Sequence, residues 1–292
     1  MNLTPIKAAA LAVIVAGALV LGVLLYPSFP RVTSNVEGPE AEASGRALLE
    51  EMLRAHGGTA AFEASRGLDL RIDDQWSPFF EAFSIWPGYS SRIQTLIAWT
   101  PTAYKARLSF PDSTLWGHDG SRTWVIEEGV GRYDSLNSTR AKYASSAVPR
   151  LLLLPVSIAH EHAQVRALSR AAPGENLDVL EVEFPSTTYT SRKDRWVLFV
   201  DAHSRHILRI VFESTASEPS YIENCFVEER QKVGELTLTR KLTCYMATKL
   251  AWDLHAINVE GARLLATVPD ESFAPPGTGT ATVARPRAQA AE

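Results

Sequence analysis

The sequence has 292 residues, a net charge of −4 at pH 7 and 46% hydrophobic residues. This length fits one large domain or two small ones, and the composition is that of a globular protein. The mildly acidic balance argues against nucleic acid as a partner, because phosphate binding needs a concentrated basic face.

The N-terminal part of the chain carries an uncharged apolar run at residues 8–26 (AAALAVIVAGALVLGVLLY). As a helix it would span about 28 Å, close to the hydrocarbon thickness of a bilayer. We therefore favour an uncleaved anchor in the bacterial inner membrane, with residues 1–7 cytoplasmic and the main domain in the periplasm. A cleaved signal peptide is the main alternative, although Leu24–Pro27 makes a poor cleavage site. A buried core helix is a third possibility.

Composition and hydrophobic spacing predict one domain over residues 44–276. Residues 27–43 have the proline, glycine and glutamate content of a linker, and residues 277–292 that of a disordered tail. A helix is predicted from Ser44 to about His56, a second over 59–65 and a third over 136–148, ended by Pro149.

Alternating hydrophobicity predicts strands over most of the remaining chain. These lie at 68–72, 93–99, 104–110, 113–117, 123–127, 177–184, 195–201, 206–213, 222–229, 236–247 and 256–266. Asp119-Gly120 is typical of a two-residue hairpin loop. About 10–11 antiparallel strands with a few helices indicate an α+β fold.

The segment 75–89 (QWSPFFEAFSIWPGY) concentrates six aromatic residues. Ser77 can cap a helix, and Pro78 suits its first position. The aromatic residues that recur at helical spacing are Trp76, Phe79, Phe80 and Phe83. The pattern predicts a short aromatic helix that packs as core. A lid over a pocket mouth and direct membrane contact remain as alternatives.

The two cysteines, Cys225 and Cys244, are predicted to pair. If Gly234-Glu235 is a two-residue hairpin loop, the same register places three pairs opposite one another. These are Glu229 with Arg240, Glu228 with Lys241, and Cys225 with Cys244. In an oxidising compartment a disulfide would follow, with two separate buried thiols as the alternative.

Catalytic and metal-binding motifs are not evident in the sequence: G-x-S-x-G, H-E-x-x-H and a phosphate-binding glycine loop are all missing. His160-Glu161-His162 could supply half a metal site, but a solvated loop is favoured. His118-Asp119 and Asp201 fit turn chemistry, and Asp194 and His203 merely flank a strand. We therefore expect a protein that is not an enzyme and has no cofactor or metal.

The order of the elements resembles the periplasmic lipoprotein-carrier superfamily, the LolA/LolB-like fold. The resemblance covers about residues 44–276. It rests on loose motifs: Ala55-His56-Gly57-Gly58, the hairpin DGSRTW at 119–124, Leu153-Leu154-Pro155, and KDRWVLFVD at 193–201 followed by Ile207-Leu208-Arg209.

The resemblance implies a strongly curved antiparallel sheet, an incomplete barrel, with helices on its concave side and an apolar cavity that takes up acyl chains. The chain departs from the main carriers because the predicted anchor is retained and no cysteine is placed for lipidation. The implied function is a membrane-anchored periplasmic binder of lipid or lipoprotein acyl chains. The alternative is a non-catalytic structural or regulatory envelope module with a packed core that binds a protein partner.

The walls of such a cavity would come from inward-facing strand residues and from the aromatic segment. Our candidates are Leu70, Phe79, Phe80, Phe83, Trp99, Trp116, Trp124, Trp196, Leu198, Leu208 and Ile210. Ordinary core packing is the alternative for each of them. Alternation along a strand assigns residues to a face, but it does not say which face is concave.

Overall fold

The computed structural model describes residues 38–89, 91–100, 103–132, 136–168, 176–185, 194–214, 221–248 and 251–275. The predicted anchor at 8–26, most of the predicted linker and the predicted tail lie outside these ranges. Within them, no helix combines the length and apolar character that a membrane crossing requires.

Thirteen antiparallel strands form one open sheet in the described part of the chain. They are β1 Gly67–Trp76, β2 Arg92–Thr100, β3 Ala103–Ser109, β4 Leu115–His118, β5 Thr123–Glu127, β6 Val130–Arg132, β7 Gln164–Leu168, β8 Leu177–Phe184, β9 Asp194–Asp201, β10 Ile207–Ser214, β11 Tyr221–Val233, β12 Leu236–Met246 and β13 Asp253–Leu265. The prediction missed β6 and β7. Both are short edge strands, so few residues show the alternation.

The sheet has the order β6-β5-β4-β3-β2-β1-β13-β12-β11-β10-β9-β8-β7. Strands β1 to β6 run outward from the middle to one edge, and β7 to β13 run inward from the other edge. The first and last strands meet in the middle, where Gly67 lies opposite Leu265 and Trp76 opposite His255. An antiparallel sheet with two open edges and helices on one face is consistent with the predicted incomplete barrel.

Four helices complete the described fold: α1 Pro39–Ala55, α2 Gly58–Ala64, α3 Leu136–Leu152 and α4 Val156–His160. Helix α1 begins five residues before the predicted start at Ser44. Proline is well tolerated at a first helical position, and the buried face of α1 already begins at Ala41. A Cβ on Gly45 would lie 2.7 Å from Cα of Arg166, so glycine lets α1 approach β7 closely.

Two predicted boundaries are corrected by backbone contacts. Helix α3 continues through Pro149, because Arg150, Leu151 and Leu152 after it are buried and the Leu153 N–H donates to the Pro149 carbonyl. The loop between β4 and β5 has four residues, with His118 opposite Thr123. The Asp119 carboxylate lengthens this loop by accepting hydrogen bonds from the N–H groups of Ser121 and Arg122.

The predicted aromatic helix is not formed. A turn at residues 78–80 leads into two three-residue 3-10 segments, Glu81–Phe83 and Pro87–Tyr89. Trp76 and Trp86 lie near the two ends of the segment. Their indole N–H groups donate to the Asp74 carboxylate at 3.1 and 2.6 Å. These tertiary contacts hold the segment back against the end of β1 and override its helical spacing.

The β11–β12 hairpin confirms the predicted turn and disulfide. Gly234 and Glu235 form its two-residue turn, and the Sγ atoms of the directly opposed Cys225 and Cys244 are 2.04 Å apart. Both predicted ion pairs form, Arg240 with Glu229 at 3.3 Å and Lys241 with Glu228 at 2.5 Å. Register shifts on either side of Glu229 place its backbone opposite Lys241, one residue from the simple register.

Removing the disulfide is expected to lower the free energy of unfolding by about 3 kcal/mol, because it closes a short loop in the unfolded chain. The measurement compares urea unfolding of the oxidised protein with that of Cys225→Ala/Cys244→Ala. Both sulfur atoms are fully buried, so alanine avoids placing new hydroxyl groups in the core. A variant as stable as the parent would show that the covalent link contributes nothing to the fold.

Candidate functional site

Six of the predicted wall residues are buried on the helix-covered face of the sheet. They pack in one cluster with side chains of α1, α2, α3 and α4, and each is at most 6% exposed. They are Leu70, Trp99, Trp116, Trp196, Leu198 and Ile210. The face assigned to them by alternation is therefore the interior between the sheet and the helices.

Trp124 faces the other side of the sheet. Its neighbour Val125 belongs to the interior cluster, whereas the Trp124 indole donates to the Phe273 carbonyl at 2.8 Å. The C-terminal 3-10 segment Asp270–Phe273 thus covers Trp124 from outside. Gly117 makes room for it, since a Cβ there would lie 2.0 Å from the indole ring. Trp124 is not a wall of the interior.

Leu208 and Phe79 are also misplaced by the prediction. Leu208 is only half-buried, because a register shift between Ile207 and Arg209 interrupts the alternation of β10. Phe79 is 91% exposed at the turn, whereas Phe80 is 8% exposed and packs with Leu254. The side chain of Phe83 lies outside the described structure.

An apolar pocket of about 310 Å³ opens between α2, α4 and the end of β2. Its lining comprises Thr59, Phe62, Glu63, Arg66, Trp99, Thr100, Val156, Ala159, His160 and His162. The volume is at the lower end of the range for small-molecule sites. Although six of the lining residues are polar, the surface that they expose to the pocket is mostly apolar, as is typical of such sites. Trp99 is the predicted wall residue that reaches it.

Stacked rings form the floor of this pocket. Phe62 of α2 lies parallel to Trp99 of β2, with ring centroids 4.2 Å apart, and His160 meets the edge of Phe62 at 5.3 Å. The Trp99 indole donates to the Ser65 carbonyl at 3.1 Å, which fixes the ring. The pocket floor is therefore a rigid aromatic surface.

The segment 160–162 is only in part the solvated loop favoured from the sequence, since His162 is exposed at a turn whereas His160 and Glu161 make side-chain contacts. His160 packs against Phe62, and the Glu161 carboxylate accepts two hydrogen bonds from Nε of Arg150 at 2.9 and 3.0 Å and one from Nη2 at 2.6 Å. Arg150 also binds Asp194 and lies over the ring of Phe184, 4.5 Å from its centroid.

Arg150 is the centre of this buried ion cluster, since its side chain is only 1% exposed. Burial alone would lower the pKa of its guanidinium, but Glu161 and Asp194 raise it, so the group stays charged. Burial raises the pKa of Asp194 above its ordinary value, and Arg150 only partly opposes this. The cluster ties α3 and the end of α4 to β9, next to the pocket.

A second buried ion cluster, centred on His255, lies near the C-terminal end of β1. His255 is held between Asp74 and Glu223, with Nδ1 2.5 Å from the first carboxylate and Nε2 3.3 Å from the second. Trp76 stacks on its ring at 4.4 Å. Burial alone would lower the pKa of His255, but the two carboxylates raise it to about 10, so both ring nitrogens donate.

Sequence reasoning missed both clusters because their members are far apart in the chain. Asp74 and His255 are separated by 181 positions, and Arg150 and Asp194 by 44. The one available signal was Asp74 itself, a charged residue between Ile72, which ends a predicted strand, and Trp76 of the aromatic segment. Glu223 also lies near the two cysteines. Because the cysteines are bonded to each other, they offer no thiolate to a metal.

Comparison with known proteins adds a fold relationship. The sequence matches no protein-family model, and no curated protein matches it significantly. A LolA superfamily protein from Nitrosomonas europaea aligns in structure with a TM-score of 0.50 and 12% identity, over 79% of this chain and 97% of that one. The protein has a LolA-like fold.

Two further solved structures align over similar lengths. A putative outer membrane lipoprotein-sorting protein domain from Vibrio parahaemolyticus gives a TM-score of 0.49 at 11% identity, over 80% of this chain and 97% of that one. A DUF1329 family protein from Desulfovibrio piger gives 0.48 at 13%, over 78% and 96%. The alignment with the Nitrosomonas europaea protein confirms the LolA-like architecture predicted from element order.

Proposed function

We propose that this protein is a non-catalytic binder of a hydrophobic ligand, a lipid or the acyl chains of a lipoprotein. The observation that carries the proposal is the apolar pocket floored by Phe62 and Trp99. The LolA-like fold, shared with the LolA superfamily protein from Nitrosomonas europaea, supports it, because the resemblance to that superfamily implies an apolar cavity that takes up acyl chains. Each buried methylene would contribute about 0.8 kcal/mol, so an acyl chain needs little polar chemistry to bind.

The finer proposal concerns location. We propose that residues 8–26 anchor the chain in a bacterial inner membrane and that the domain faces the periplasm, in a role in envelope lipid or lipoprotein transport. The disulfide between Cys225 and Cys244 supports an oxidising compartment. Tethering at a membrane would place the pocket near a source of lipid.

The packed interior supports a second candidate, a structural or regulatory module that binds an envelope protein. Trp116, Leu198 and Ile210 are fully buried and leave no exposed surface to a ligand. The two candidates differ in what accompanies the purified protein: a lipid binder brings lipid, and a packed module does not.

The test is purification of the full chain from membranes followed by native mass spectrometry and solvent extraction. Lipid is expected with the parent protein and with Ala60→Phe, whose exposed position on α2 lies outside the lining. Lipid is expected to be lost from Ala159→Phe, because the added ring occupies the pocket. Thermal unfolding confirms that both variants fold.

Two results would count against the proposal. A folded Ala159→Phe that retains as much lipid as Ala60→Phe would move the binding site elsewhere. A parent protein recovered empty, which also fails to bind a fluorescent fatty-acid probe, would favour the packed module.

A further inference from the structure

We infer that Arg66 binds the oxyanion head of the ligand, so that the apolar pocket selects a single-chain amphiphile with a carboxylate or phosphate head over a neutral one. This inference rests on the proposed function and deepens it. It names a specificity-determining residue of the same pocket and the chemical group that this residue recognises.

Arg66 is itself a lining residue of the apolar pocket, and its side chain is exposed to solvent. Its backbone is fixed against the aromatic floor, because the Trp99 N–H donates to the Arg66 carbonyl at 3.3 Å. The Arg66 N–H in turn donates to the Leu265 carbonyl at 2.7 Å. An arginine can lay its apolar stem along such a surface while its charged end stays in water. The guanidinium therefore lies where the apolar floor meets solvent.

Most donors of the Arg66 guanidinium are available to a ligand. In the described part of the chain, its side chain makes one hydrogen bond, from Nη1 to the Glu63 carbonyl at 3.3 Å, and no ion pair. That bond is ordinary capping at the C-terminal end of α2, and it neutralises no charge. The Nε and Nη2 groups remain, and a guanidinium binds carboxylate and phosphate through two parallel N–H···O bonds.

The other polar groups of the lining include one that opposes an anion and two that can donate to it. Glu63 carries the opposing charge, but it is exposed, and no ion pair joins it to Arg66 in the described residues. His162 and Thr59 can each donate a hydrogen bond. A ligand oxyanion gains a bond between opposite charges here, whereas a neutral hydroxyl head gains a weaker one.

The volume of the pocket, about 310 Å³, sets the size of the tail. It lies at the lower end of the range for small-molecule sites. The stacked rings of Phe62 and Trp99 offer this tail one apolar floor, directly beside Arg66. A single alkyl chain fits such a volume better than the several long chains of a whole lipid.

The experiment compares the parent with Arg66→Gln, which removes the charge and keeps a polar side chain. Octanoate, octyl phosphate and octan-1-ol share one tail, and each is used to displace N-phenyl-1-naphthylamine, a neutral fluorescent probe. Arg54→Gln is the matched control. In the described structure Arg54 is also an exposed arginine with a single hydrogen bond to a carbonyl, that of Glu50 at 3.4 Å, but it lies on α1 outside the lining.

Arg66→Gln is expected to bind one or both oxyanions about fivefold more weakly, with octan-1-ol unchanged, because an exposed ion pair is lost. A loss for octanoate alone assigns a carboxylate head, a loss for octyl phosphate alone assigns a phosphate head, and a loss for both assigns either oxyanion; each supports the inference. Glu63→Gln should strengthen oxyanion binding, since it removes the competing carboxylate. Arg54→Gln should bind all three compounds like the parent.

The inference is overturned if Arg66→Gln keeps the parent's ratio of oxyanion to octan-1-ol affinity, or if Arg54→Gln lowers that ratio as much. Thermal unfolding checks that the variants fold. If Arg66→Gln does not fold, Glu63→Gln decides, because an unchanged ratio in that variant contradicts the inference. Failure of the proposed function looks different, since the parent then binds neither the probe nor any of the three compounds.

Discussion

Replacing His255 with leucine is expected to lower the free energy of unfolding by about 3–5 kcal/mol, because it leaves buried carboxylates without their cation. Asp74 and Glu223 are 2% and 7% exposed, so water cannot compensate. Asp74 would keep the indole N–H groups of Trp76 and Trp86, but these carry no charge. Urea unfolding at pH 6 measures the loss.

The contribution of His255 should depend on pH in a definite direction. Its folded-state pKa, about 10, lies above the ordinary value of 6.5. A raised pKa stabilises the fold fully below pH 6.5, and that stability is lost as the pH rises through about 10. The difference in stability between the parent and His255→Leu is therefore expected to shrink steadily between pH 6.5 and 10.

His203→Leu is the matched control for this prediction. That histidine is exposed at the turn between β9 and β10, and only its backbone N–H bonds to Asp201. Its replacement should change the stability by no more than about 0.5 kcal/mol. A His255→Leu protein as stable as this control, or a difference that does not vary with pH, would show that the imidazole is not held as a cation.

Replacing Arg150 with methionine is expected to cost about 3–5 kcal/mol for the same physical reason. Methionine keeps much of the packing against Phe184 but leaves Glu161 and Asp194 without a counter-charge. Because Glu161 directly follows His160, the pocket wall should loosen as well, and lipid retention should fall. Chemical unfolding and lipid extraction of the same preparation measure the two effects.

Two companion variants sharpen the Arg150 test. Arg122→Met, at a side chain 86% exposed, should change the stability by no more than about 0.5 kcal/mol. Adding Glu161→Gln and Asp194→Asn to Arg150→Met should recover part of the loss, since no buried charge is then left unpaired. A triple variant less stable than Arg150→Met alone would show that the stability is lost mainly through packing.

Local sequence signals predicted the features whose partners are close along the chain. The β11–β12 hairpin is an example, because the turn at Gly234-Glu235 and the opposed charges belong to one short segment. Alternation also grouped Trp99, Trp116 and Trp196 as inward-facing candidates, and the structure buries all three in the interior. The prediction of a helix in the aromatic segment was wrong, because hydrogen bonds from Trp76 and Trp86 to Asp74 override its helical spacing.

The remaining site residues depend on contacts that sequence spacing does not encode. Trp124 lies on a well-predicted strand, yet its face is decided by the distant segment Asp270–Phe273 that covers it. The pocket exists because α2 and α4, separated by about ninety residues, meet at the end of β2. A single irregularity of β10 moves Leu208 out of the interior.

The meeting of β1 with β13 has a consequence for how the chain reaches its native state during synthesis. When β1 leaves the ribosome, its neighbour β13 lies nearly two hundred residues downstream. Contacts so distant in sequence form slowly and late. One edge of β1 must therefore stay unpaired until almost the whole domain has been made. His255, near the start of β13, then supplies the cation for Asp74 as the sheet is joined. A chain truncated before β13 would therefore keep an unpaired edge on β1 and a buried Asp74 carboxylate without its cation.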